Sequence, residues 1–441
     1  MDKQLSPKLS LFPSTSSVNN LGHLCIGGCD SIELAKEYGT PLYVFDEFNL
    51  RSKCREFREE FTNRYPDTSI VYASKAFLNR ALALILKEEN IGLDVVSAGE
   101  LSIAQSIMFP HDRIYFHGNN KAANELEMAL KQGIGRFVID NFYEMEMLND
   151  MARGMGVEQS VLLRLSPGVD AHTHRYTTTG ILDSKFGFPV ATGQADMAVS
   201  QAVAAPNLDL VGLHFHLGSP VTQTSPYESA ILLTLRFAKE MKIKYGFNLR
   251  EFSLGGGFAV QYTLGHSVLS VADYAEALVS SLMNTTKKME LSSPKLIVEP
   301  GRAIVGQAGV GLYMVGAIKD VPGIRKYVCV DGGMGDNIRP ALYGAKYEAL
   351  VANKIFDEES TQVSIAGRYC ESGDILVSDV MLAPISAGDI IAIPMSGAYT
   401  IPMASNYNMV TRPAIVMVKD GHARLIRRRE SYQDLMRLDL I

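Results

Sequence analysis

The chain has 441 residues, 42 basic against 48 acidic side chains, five cysteines and no tryptophan. Its 47% hydrophobic and 20% charged residues suffice to bury a large core, and the length allows two or three domains, or a barrel with a smaller partner. Neither charge sign is clustered, which excludes a polyanion-binding role; the odd cysteine count argues for reduced thiols; and no apolar run reaches the ~18 residues of a membrane span.

The opening stretch, MDKQLSPKLSLFPSTSS, lacks the apolar centre of a signal peptide, so a cytoplasmic enzyme is the starting expectation. A short helix is expected over Ser31–Tyr38 and a strand over Pro41–Phe45, after which Asp46 caps an amphipathic helix running to about Tyr65. A rhythm follows. Short apolar runs at Ile70–Ala73, Leu93–Ser97, Ile114–Phe116, Phe137–Ile139, Val161–Leu165, Leu210–His216, Phe252–Leu254 and Leu296–Val298 alternate with helical patterns such as Asn79–Lys87, Glu100–Ile107, Ala123–Gln132 and Asn141–Arg153. Continuous rather than alternating apolar runs are the mark of strands buried on both faces, and eight strand–helix units make a (β/α)8 barrel. The later spacings are longer, with Ser166–Phe188 the longest expected insertion.

Beyond Ala303 the texture becomes strand-rich, at Tyr313–Ile318, Lys326–Val330, Gln362–Ala366, Ile375–Val380, Ile390–Met395 and Ala414–Val418, with Asp420-Gly421 as a tight hairpin turn. The expected fold is therefore a TIM barrel over residues 43–302 followed by a β-domain of sandwich or Greek-key type over 303–441. Residues 1–42 form an N-terminal segment expected to pack with that second domain.

In such a barrel the chemistry gathers at the C-terminal ends of the strands. Lys75 closes the first run, His117-Gly118 the third, and Arg164 lies in the second half of the fifth. The sixth ends His214-Phe215-His216-Leu217-Gly218-Ser219, the seventh Gly255-Gly256-Gly257, the eighth Glu299-Pro300-Gly301-Arg302. Taken singly, each is ambiguous. A lysine after a strand is usually solvated, yet small neighbours leave room above Lys75, and a desolvated lysine can form a Schiff base with an aldehyde. The three glycines read as a flexible turn or as a phosphate cradle. His214 and His216 read as a polar layer or a metal pair, though no carboxylate or cysteine at ligand spacing accompanies them, so no metal is expected. A buried Glu299 needs a cationic partner or a proton. Together, a lysine for an aldehyde, glycines for a phosphate, an imidazole for a ring face and a carboxylate for a ring nitrogen are what pyridoxal phosphate requires.

The motifs YASKA, DVVSAGEL, GVDAHTHRYTTTGILDSKFGF, HFHLGS, LGGGF, EPGR, DGGMGDNIRPALYGA, CESGD, GAY and SNYN, in that order over nearly the whole chain, resemble those of the diaminopimelate decarboxylases, fold type III pyridoxal phosphate enzymes of the alanine-racemase-like group. The AHTH and RPALYG segments favour this family over the ornithine and arginine decarboxylases. The resemblance implies Lys75 as the Schiff-base lysine, His216 stacked on the ring and Cys370 as proton donor. It implies cofactor binding by Asp94, Arg164, Ser219, Gly255, Gly256, Gly257, Glu299, Gly301, Arg302 and Tyr399, with Glu299 at the ring nitrogen. Substrate contacts would come from Arg302, Arg339, Tyr343 and Tyr399, with Glu371 meeting the distal ammonium. It further implies a homodimer with shared active sites, each borrowing Cys370 and Glu371 from the partner chain. The reaction would be decarboxylation of meso-2,6-diaminopimelate to L-lysine and carbon dioxide, the last step of lysine biosynthesis. A related decarboxylase for another carboxylate-tailed amino acid and an amino-acid racemase are the rival expectations. One departure is Thr400-Ile401-Pro402-Met403-Ala404 after GAY, where the family often has glycine and serines. Cys25, Cys29, Cys54 and Cys329 read as small packing residues.

Overall fold

The computed structural model describes residues 5–170, 179–180 and 183–441. The AHTH motif, at 171–174, and much of the expected insertion lie outside them. By its internal contacts the chain divides into two compact units, one made of Cys54–Ala259 and Val268–Gly301, the other of Met1–Lys53, Val260–Ser267 and Arg302–Ile441.

The first unit is a closed parallel barrel. Its strands are β1 (Thr68–Ala73), β2 (Gly92–Val95), β3 (Ile114–Phe116), β4 (Arg136–Ile139), β5 (Gln159–Ser166), β6 (Leu208–Phe215), β7 (Glu251–Ser253) and β8 (Lys295–Val298). Each pairs in parallel with the next, and β8 returns to β1 with Leu296 opposite Thr68, which closes the ring. Inward-facing Val71, Tyr115, Val138, Leu162, Val211 and Ile297 fill its interior as one buried cluster. The intervening helices begin where the sequence offers caps. Asn79, Ser97 and Asn141 each accept a backbone N–H from the first turn of Arg80–Glu88, Ala98–Ser106 and Phe142–Met155.

The second unit is built on a mixed sheet. Its strands are β9 (Gly309–Val321), β10 (Arg325–Val330), β11 (Thr361–Ala366), β12 (Ile375–Leu382), β13 (Ile390–Ile393), β14 (Ala414–Lys419) and β15 (His422–Arg427). They run β12-β11-β10-β9, then the strand Leu42–Asp46, then β14-β15, with β13 paired to β9. The β14–β15 turn is Asp420-Gly421, both at positive φ (49° and 78°), as a two-residue hairpin demands. Leu24, Ile26 and Leu34 of the N-terminal segment share a buried cluster with Val44, Val310 and Val416.

The expected boundary at residue 43 differs from this division. Residues 43–53 group with the second unit because Leu42–Asp46 lies between β9, antiparallel, and β14, parallel. Asp46 still caps the following helix, Glu47–Thr62, through the Asn49 N–H at 2.9 Å. Residues 260–267 also leave the barrel for the second unit. Among the described residues no helix is long and apolar enough to cross a membrane.

Candidate active site

The C-terminal ends of the barrel strands carry a buried polar cluster centred on Glu299, just beyond β8 and only 4% exposed. Its Oε1 accepts the Ser253 hydroxyl from β7 at 2.7 Å, and Oε2 lies 3.2 Å from His214 Nε2 of β6. His117 Nε2, past the end of β3, stands 3.5 Å from Oε1, and the His117 and His214 rings meet edge to face at 4.9 Å. Burial alone would raise the Glu299 pKa. The neighbouring imidazoles, His214 first and then His117, together with the hydrogen bonds from His214 and Ser253, outweigh it and hold the carboxyl well below the ordinary range. Burial instead drives His117, His214 and His216 down, so all three imidazoles are neutral near pH 7. Asp94 of β2 is pushed well up by burial and by the Glu299 charge, which leaves Glu299 as the ionised member of the pair.

Around this centre stand the other barrel residues. Lys75 is the exposed residue of the otherwise buried 3-10 turn Ser74–Ala76 after β1, and its charge is felt by Asp94 and His216. His216 is half-buried just beyond β6 and its Nδ1 accepts the Gly256 N–H at 3.2 Å, which fixes the ring. Gly255 and Gly257 have positive φ, 67° and 113°. A Cβ on Gly256 would strike the Glu299 carbonyl, and one on Gly257 the Gly218 carbonyl, so the turn tolerates no side chain. Arg164 is buried, 4.3 Å above the Phe186 ring and 3.8 Å from Asp140. Ser219 is half-buried beyond β6, and Gly301 packs against Ala73.

The second unit holds a cluster of its own. Arg302 donates to the Tyr262 hydroxyl at 2.7 Å and lies 4.7 Å from the Tyr399 ring centre. Arg339 donates to the Tyr347 hydroxyl and sits 4.5 Å over Tyr262, so its partners are tyrosines rather than carboxylates. Burial would raise Tyr262, but the two guanidinium groups prevail and lower it. Two positive charges in a largely desolvated nest suit an anion, a carboxylate above all. Tyr343, half-buried, ends the short helix Arg339–Tyr343. Tyr399 adopts φ 59°, and the unusual segment after it forms a 3-10 turn with Thr400 donating to the Ser396 carbonyl at 2.7 Å. Cys370 is a free, exposed thiol whose backbone N–H donates to Asn408 at 3.1 Å. Glu371 accepts from the Tyr407 hydroxyl at 2.6 Å, and Tyr407 stacks on Tyr369. The SNYN motif thus secures the turn that bears the thiol.

Sequence reasoning left Ser253, Tyr262, Tyr347 and Tyr407 unassigned, and it gave His117 a strand-end position without a partner. It also saw no carboxylate beside His214, whereas the fold brings Glu299 there.

Residues 48–306 match the family model for the pyridoxal-dependent decarboxylase, pyridoxal binding domain. Over 426 residues the chain is 45% identical to the diaminopimelate decarboxylase of Bacillus subtilis (strain 168), covering 97% of each. It is 40% identical over 449 residues to that of Mycobacterium tuberculosis (strain ATCC 25618 / H37Rv), covering both in full. The crystal structure of diaminopimelate decarboxylase from M. jannaschii superposes with a TM-score of 0.91 at 35% identity, over 97% of this chain and 98% of that one. The chain belongs to the diaminopimelate decarboxylase family.

It is accordingly a pyridoxal phosphate-dependent carboxy-lyase. The residues fit that cofactor. Asp94 Oδ1, His117 Nε2 and His214 Nδ1 are buried without a hydrogen-bond partner among the described residues, as expected of a polar floor beneath a ring. Glu299 supplies a buried, ionised carboxylate suited to a pyridine nitrogen, while the N–H groups of Gly255 and Gly256 are engaged by Ser253 Oγ and His216 Nδ1.

Proposed function

We propose that this chain performs the family's reaction, removal of one carboxylate from meso-diaminopimelate to leave L-lysine and carbon dioxide, through Lys75, His216 and Glu299 in the barrel and Cys370 in the second unit. The observation that carries the reading is Glu299, a buried carboxylate that stays ionised beside neutral imidazoles at the end of β8. When bound, the cofactor supplies an electron sink for the pair left behind by the departing carboxylate.

Every other part belongs to the chain. The Lys75 amine would hold the cofactor through its aldehyde. Glu299 would hold a proton on the ring nitrogen, and the neutral His216 imidazole, fixed by the Gly256 N–H, would support the ring. Ser219, Gly257 and Gly301 would take the phosphate, with Gly255 and Gly256 shaping the turn and Asp94, Arg164 and Tyr399 completing the cofactor's surroundings. Arg302, Arg339 and Tyr343 receive the distal carboxylate and Glu371 the distal ammonium. A substrate without that second carboxylate would leave buried guanidinium charge unmet, which is costly. Cys370 delivers the proton to the α-carbon, and as a free, exposed thiol it is available to do so. The working form is a homodimer in which each chain lends Cys370 and Glu371 to its partner. Support for these roles comes from motif correspondence with the family and from the chemistry of each side chain.

The test is incubation of the purified protein with pyridoxal phosphate and meso-diaminopimelate, with lysine and carbon dioxide assayed together. Equimolar release of both is expected. Absence of lysine, or equal turnover of ornithine, would overturn the reading.

A further inference from the structure

We propose that Ser253 and His214 are positioning residues which, through Glu299, set how strongly the cofactor's ring nitrogen keeps its proton. The inference rests on the role of Glu299 given above and adds the two groups that act on it.

Both carboxylate oxygens of Glu299 are gripped, each from a different strand. Ser253 on β7 donates to Oε1 at 2.7 Å, and His214 on β6 engages Oε2 at 3.2 Å. The direction of the serine's proton follows from a second bond. Its Oγ accepts the Gly255 N–H at 3.3 Å, so a lone pair is taken and the hydroxyl hydrogen is left for Glu299. The same serine thereby joins the carboxylate to the first glycine of the phosphate turn. On His214, an ionised Glu299 accepts only from a protonated Nε2, which assigns the neutral tautomer with Nδ1 bare; Nδ1 has no hydrogen-bond partner among the described residues.

The neutrality of both donors matters. An imidazolium or ammonium at this distance would orient Glu299 but also cancel its charge. A hydroxyl and a neutral imidazole, both fully desolvated, stabilise the ionised form and leave its negative charge to act on the ring. His117, 3.5 Å from Oε1, stands by as a third neutral group.

The full-length protein is titrated with pyridoxal phosphate and with its deaza analogue, in which carbon replaces the ring nitrogen, and binding is followed by absorbance. A hydrogen bond to a charged group is worth enough that Ser253→Ala and His214→Leu should each weaken pyridoxal phosphate binding about tenfold. The analogue, having no ring nitrogen, should bind all variants alike. His214→Gln, whose amide nitrogen reaches the Nε2 position, should recover most of the loss. In a Glu299→Gln background the Ser253→Ala change should add nothing. Equal losses for both ligands, with Glu299→Gln itself still distinguishing them, would overturn this proposal and leave the Glu299 assignment standing. A Glu299→Gln variant that does not distinguish them would overturn both. Should His214→Leu fail to fold, Ser253→Ala decides the matter alone.

Discussion

Lys75 and Cys370 are both exposed, yet their substitution should have different signatures. Lys75→Ala should abolish the absorbance band of the lysine-bound cofactor, and persistence of that band would remove Lys75 from its role. Cys370→Ala should keep the band while turnover falls by roughly 10²–10⁴, the usual worth of a positioned proton donor. A third residue tests the second unit. Asp336 is buried, and although it accepts from the Tyr43 and Tyr313 hydroxyls at 2.9 and 2.6 Å and from the Gly333 N–H, burial raises its pKa to about 6. A carboxyl raised on folding binds its proton more tightly in the native state. Its contribution is therefore most favourable below its unfolded pKa, near 4, and is lost as pH rises to 6, a change of roughly 3 kcal/mol. Asp336→Asn should flatten the pH dependence of melting between pH 4 and 6 relative to the parent protein; an unchanged slope would contradict this. Residues at strand ends, such as Lys75, His216 and Glu299, were legible in the sequence because a polar group interrupting an apolar run has no packing reason to be there. Ser253 was not legible, since a serine inside FSLGGG looks like ordinary filler until β7 and β8 are seen side by side.

At the level of elements, the eight barrel strands were readable because strands buried on both faces leave uninterrupted apolar runs, and the helices because their patterns fill the gaps between; that Ser97 caps a helix rather than ending a strand emerges only from the structure. The glycine turn was readable only as a choice between flexibility and a cradle. The structure adds a steric reason for glycine there, the contact of Gly256 with the Glu299 carbonyl, which a side chain would abolish. Gly256→Ala should therefore force β7 and β8 apart, lowering stability by about 1–3 kcal/mol and weakening cofactor binding, read by thermal melting and titration. Gly421→Ala serves as its counterpart. That glycine has φ 78° in open surroundings, so only backbone strain is incurred, about 1 kcal/mol, and cofactor affinity should not change.

For the whole molecule, the shared-site homodimer is open to a direct trial. Lys75→Ala chains, inactive alone, and Cys370→Ala chains, only weakly active alone, should regain activity when mixed and allowed to exchange. Random pairing leaves about a quarter of the sites with both residues intact, so recovery should approach a quarter of the parent rate. No recovery after demonstrated exchange would place both residues of a site on one chain. What the sequence hid at this scale was the membership of residues 43–53 and 260–267, because strand partners are not written in local pattern. The strand Leu42–Asp46 has a consequence for how the chain is made. It is a central strand whose parallel partner, β14, leaves the ribosome only after the entire barrel has been synthesised. At ordinary translation speeds that interval is roughly twenty seconds to a minute, during which the barrel can close and β9 can pair while the strand's other edge waits unpaired. A nonsense mutation anywhere before Ala414 would make that exposure permanent, and such fragments should aggregate even when their barrel is complete.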